Sequence, residues 1–131
     1  MFTVAADTEK NRLRITLGAF VGGDEAKRIL EQIVAEVGQL NDGFTVITDL
    51  SSFKLGASGA VPTLKAIVAF LSVRRVSHVV RVIGSRRTMG IIQFLSFVGK
   101  RPPYKTSYAA SVEEAEAILD KKSHPVAVSC R

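Results

Sequence analysis

One cysteine, two histidines, two methionines and no tryptophan leave this chain of 131 residues short of the side chains that usually announce a chemistry. The lone Cys130 excludes an internal disulfide and fits a reducing compartment, so a cytoplasmic setting is expected. His78 and His124 have no Cys, Asp or Glu at ligand spacing, so neither a metal centre nor a serine-histidine-acid triad can be read from the sequence. No glycine-rich loop ending in Lys-Ser or Lys-Thr is present, so no nucleotide triphosphate site is expected. No apolar run approaches the length of a membrane span, and the opening "MFTVAADTEKNR" lacks the basic-then-apolar order of a signal peptide. The expectation is a chain without cofactor and without catalysis.

Acidic residues are also missing, and in one place. All 12 lie between Asp7 and Asp49 or between Glu113 and Asp120, whereas Ser51 to Val112 holds ten Lys and Arg and no Asp or Glu. The net charge is +6. A field of one sign attracts anionic partners without naming them.

What is present is the composition of one compact domain: 47% apolar and 23% charged residues, in a length that buries a full core. "FTVAA" and the alternating "RLRITL" (12–17) read as strands joined by "DTEKN" into a hairpin. In "DEAKRILEQIVAEVGQL" Ala26, Ile29, Leu30, Ile33, Val37 and Leu40 fall on one side of a helix, with Asp24 and Glu25 at its positive end. "NDG" ends it and launches a strand over 44–50.

A second helix is predicted over 59–75, with Pro62 in its first turn and Val61, Leu64, Ile67, Val68 and Leu71 inward. The strand "HVVRVIG" follows. Ser85 caps a third helix, "RRTMGIIQFLSFVGK", stopped by Gly99 and the pair Pro102-Pro103. "YKTSYAA" is a weak last strand, and Ser111 with Glu114 forms the S-x-x-E box that opens a fourth helix to about Lys122.

The order ββαβαβαβα describes an α/β domain over 1–122 with a mixed sheet, an N-terminal hairpin and later strands parallel, followed by a tail over 123–131. Arg12, Arg14 and Thr16 line one side of a strand, and Thr48 and Arg81 interrupt two others. Helices are therefore expected mainly on one face of the sheet.

The segment "VITDLSSFKLGASGAVPTLKAIV" resembles the STAS domain family, the sulphate transporter and anti-sigma factor antagonist fold. That family has an apolar strand ending in Asp-Leu or Asn-Leu, a short bend, then Asp-Ser-Ser-Gly at the start of the second helix. Asp49-Leu50 and Ser58-Gly59 match its two ends. In antagonist members the turn carries a serine phosphorylated by a partner kinase, which releases the domain from an anti-sigma factor. The resemblance implies a stand-alone regulatory domain that binds another protein, with Asp49, Ser51, Ser52, Ser58 and Gly59 in a switch-like turn. On this alignment the motif's aspartate is Gly56 and its phosphorylated serine is Ala57, so the phosphoswitch is absent as written.

The turn also has a plain structural reading. Gly56 and Gly59 permit a tight strand-to-helix crossing, and the serines can cap exposed N-H groups. Asp49 invites comparison with a phosphoacceptor aspartate, but the first strands offer only Asp7 to help hold Mg²⁺, so a structural aspartate bonding its own turn is the better reading.

Two further features concern contacts. In "GSRRTMG" Ser85, Arg86 and Arg87 at a helix start could hold a phosphate or carboxylate, or be a cap with two solvated arginines. On the third helix Met89 and Phe97 fall among Arg86, Gly90, Gln93 and Lys100, either a contact surface for a regulatory protein, a second copy of the chain or an anionic membrane, or the sign of a helix more buried than a simple wheel assumes. Tyr104 and Tyr108, beside Lys100, Arg101 and Lys105, carry no recognised nucleic-acid motif, and nucleic acid is not expected as a partner. The alternative function from a different class is a carrier of a small anionic or lipid-like ligand, held against the sheet near Ser85 to Arg87.

Overall fold

The structure is a computed structural model that describes residues 2–18, 23–51, 61–83 and 104–122. Five strands, β1 (Phe2–Asp7), β2 (Arg12–Leu17), β3 (Thr45–Asp49), β4 (His78–Val82) and β5 (Lys105–Ala109), form one sheet in the order β1-β2-β3-β4-β5. β1 pairs antiparallel with β2, and the other three pairings are parallel. The described helices are α1 (Gly23–Val37), α2 (Val61–Val73) and α3 (Val112–Lys122). Each expected element within the described residues is present. The expected helix "RRTMGIIQFLSFVGK" and the tail 123–131 lie outside them.

Local chemistry explains the element ends. Asp7 Oδ1 accepts from the N-H groups of Glu9 and Lys10, both at 3.1 Å, and Asn11 takes a positive φ of 53°, which turns the hairpin. α1 ends at Val37, and Gln39 and Leu40 tighten the exit by donating to Glu36 and Val37. Ser111 Oγ caps α3 by accepting from Glu114 N at 3.1 Å. Glu114 reaches back to Ala110 N at 2.6 Å, one residue earlier than the usual capping box.

The sheet divides the core in two. On one face Leu13, Ile15, Leu17, Val46 and Val79 pack against Ala26, Ile29, Ile33 and Val37 of α1 and Ile67 and Leu71 of α2. On the other, Ile47, Val80, Val82 and Ala109 pack against Ala115 and Leu119 of α3. Two of the three described helices thus share a face, as expected, and α3 covers the opposite one. The polar residues that suggested an open face do not mark one. Arg12, only 1% exposed, lies beneath α3, and Thr48 and Arg81 are buried on the α1 and α2 side.

Candidate functional site

Asp49 ends β3 at the C-terminal edge of the sheet. Its Oδ1 accepts from Ser51 N at 3.0 Å and from Ser51 Oγ at 2.7 Å, a side-chain turn that bends the chain away from the strand. Leu50, fully buried, donates its N-H to Val82 O at 2.8 Å and pins the corner to β4. Asp49 therefore has a structural task here. Asp7, the carboxylate weighed for a shared Mg²⁺ site, lies at the other end of the sheet, opposite Arg12 in the β1–β2 register. Ser52, Ser58 and Gly59 lie outside the described residues, as do Ser85, Arg86, Arg87, Met89 and Phe97, so of the expected site only Asp49 and Ser51 are seen together.

The helix after this corner carries an unusual outer face. α2 contains no acidic residue, and its exposed positions Ala66, Ala69 and Val73, with half-buried Phe70, follow the i, i+3, i+4, i+7 spacing of one helical stripe. Val73, at 77%, is the most exposed large apolar side chain among the described residues. Lys65 and Arg75 are exposed beside it, and the Arg74 guanidinium sits 5.9 Å from the centre of the Phe70 ring, within cation-π range.

Beneath α2, on the sheet, lies a buried polar group inside an apolar wall. Arg81 Nη1 approaches Tyr108 Oη at 3.4 Å, and burial pushes the Tyr104 phenol upward while the Arg81 charge pulls it back. The void among Ile15, Leu17, Ile33, Leu71, Thr48 and Arg81 is about 30 Å³. That is room for a water or two and far below the volume of a carried ligand.

Sequence reasoning missed the charge network on the opposite face. Arg12 donates to Glu116 and, at 3.0 Å, to Asp120, and its Nε donates to Thr45 Oγ1 at 3.2 Å. Arg14 Nε donates to Glu116 Oε2 at 2.6 Å, and its Nη1 to Asp7 Oδ2 at 3.3 Å. Burial alone would raise the Glu116 carboxyl, but hydrogen bonds and charge from Arg14 and then Arg12 outweigh it and hold it below the usual range. The available signal was an acidic final helix in a chain whose second strand carries two arginines. Equally unforeseen, His78 Nε2 lies 2.7 Å from Ser107 Oγ between neighbouring strands.

No protein-family model matches the chain, and no curated protein sequence matches it. Among solved structures it is similar to the anti-sigma factor antagonist SpoIIAA in its unphosphorylated form, with a TM-score of 0.61. The match has 16% sequence identity and covers 92% of this chain and 98% of that chain. At that identity the likeness is one of fold. The chain has the STAS fold expected from Asp49-Leu50 and Ser58-Gly59.

Proposed function

From the STAS fold we infer that this chain is a non-catalytic regulatory domain that works by binding another protein through the outer face of α2 and the turn before it. The observation that carries the reading is the exposed apolar stripe Ala66, Ala69 and Val73, beside Phe70 at the margin of the core and flanked by Lys65, Arg74 and Arg75 on a helix free of acidic residues. An exposed apolar strip with a basic rim fits a partner with an apolar centre and acidic margins. Asp49, Ser51, Ser52, Ser58 and Gly59 belong to the turn in this proposal, and Ser85, Arg86, Arg87, Met89 and Phe97 extend the basic contact. With Ala57 at the position of the family's phosphorylated serine, control of binding passes either to another serine of the turn or to the abundance of the partner.

The test is affinity purification of the chain from its own cells, with quantitative mass spectrometry. A partner recovered in near-equal amounts with the parent chain and reduced about tenfold by Val73→Glu or Ala69→Glu supports the proposal. Both substitutions leave the core untouched, so unchanged thermal melting is expected of them. A partner retained equally by both variants overturns the α2 surface. The same spectra report whether phosphate is carried on Ser51, Ser52 or Ser58.

A further inference from the structure

The parallel register aligns the first residues of four strands. Arg12 of β2 stands opposite Thr45 of β3, Thr45 opposite His78 of β4, and His78 opposite Lys105 of β5. Side chains at one register level of neighbouring strands share a face and are spaced by roughly 4.8 Å. The four therefore form one row at the N-terminal end of the sheet. Two residues further along on the same face, the row is Arg14, Ile47, Val80 and Ser107, half of it apolar and sealed by α3. The first row is polar throughout and opens into a cleft.

That cleft has a volume of about 410 Å³, within the range of small-molecule sites. Besides the row it is lined by Lys10 and Asn11 from the hairpin, by Gly43 and Ser77 from the turns before β3 and β4, and by Leu119 of α3. Among the described residues of the lining, Leu119 is the one large apolar side chain and none is a carboxylate. Arg12 and His78, 1% and 4% exposed, are held in place by neighbours on the same face. Arg12 is fixed by Glu116 and Asp120, and His78 by Ser107. Thr45 Oγ1 accepts from Arg12 Nε, which leaves its own proton available to donate.

We propose that this cleft binds a soluble phosphomonoester, with Lys10 and Lys105 supplying charge and Thr45 and His78 the floor. Ammonium groups suit a compact dianion as point charges, whereas among the described lining residues a lipid tail finds only Leu119. The site is at the opposite end of the sheet from Asp49 and on the α3 face, whereas α2 packs on the other face. Asp120 and Glu116 are its internal competitors: they lie 3.6 and 3.8 Å from Lys10 Nζ, and both accept from Arg12.

The measurement is amide chemical-shift titration of the full chain with inorganic phosphate and with ribose 5-phosphate, each against sodium chloride at equal ionic strength. Saturable shifts at Thr45, Ser77, His78 and Lys105 are expected with both phosphates. Lys105→Glu is expected to weaken binding about tenfold, and Asp120→Asn to tighten it, a change of opposite sign that a merely structural role does not produce. Shifts reproduced by chloride, or indifferent to both substitutions, overturn the site. Binding to vesicles containing phosphatidic acid without binding to either free phosphate overturns the assignment to a soluble ligand.

Discussion

Arg12 shows how burial changes the meaning of a side chain. Its guanidinium is out of water and answered by Glu116, Asp120 and the Thr45 hydroxyl, so removing either main acid leaves part of its charge uncompensated. A double-mutant cycle on Arg12→Met and Glu116→Gln, read by urea denaturation, is expected to give a coupling of about 1–3 kcal/mol. Asp7 is held below the usual carboxylate range mainly by the Lys10 N-H, and Glu116 and Asp120 by their arginines against the opposing effect of burial. Carboxylates with folded values below their unfolded ones contribute stability that is complete above the unfolded values and is lost as pH falls through the folded ones. The melting temperature should therefore be level above about pH 5 and drop below about pH 4. A melting curve flat to pH 3 would show that these contacts contribute nothing. The structural task of Asp49 was legible because an aspartate two residues before a serine makes a local turn. The burial of Arg12 was not, because in "RLRITL" it sits on the polar side of the alternation and its acids lie more than a hundred residues away.

Helices were the most legible elements, because a periodic apolar stripe requires a surface to cover. Ala26, Ile29, Ile33 and Val37 are all fully buried at the spacing that announced them. Ser111 and Glu114 likewise announced the start of α3 through a local bond, and Ser111→Ala should cost about 1 kcal/mol in chemical denaturation. The edge strand β1 was legible as a strand but not as an edge, since only pairing decides which strand is last. Its Ala6 N-H is taken by Glu36 of α1 at 2.9 Å, which leaves one fewer open donor for another strand. Glu36→Ala should raise self-association, measured by light scattering against concentration, without much change in secondary structure.

Across the whole molecule the charge asymmetry becomes spatial. The acids near both chain ends meet Arg12, Arg14 and Lys10 on the α3 side, while the acid-free middle supplies the exposed Lys65 and Arg75 around α2. If α2 receives an acidic partner, the association rate should fall several-fold between about 50 and 500 mM salt, while dissociation changes little. Stopped-flow mixing at the two salt concentrations measures this, and an association rate independent of salt would remove charge from the interface. The α/β class, the hairpin, the capped last helix and the likeness to the STAS fold follow from local patterns, because periodicity, turn residues and caps act over a few neighbours. The tertiary structure alone decided that α3 covers the face opposite α1 and α2. It also brought Arg12 to Glu116 and ranged Arg12, Thr45, His78 and Lys105 side by side. Each of these depends on register and packing between segments far apart in the chain, where hydrophobic burial and charge pairing select one arrangement among many that local preferences allow.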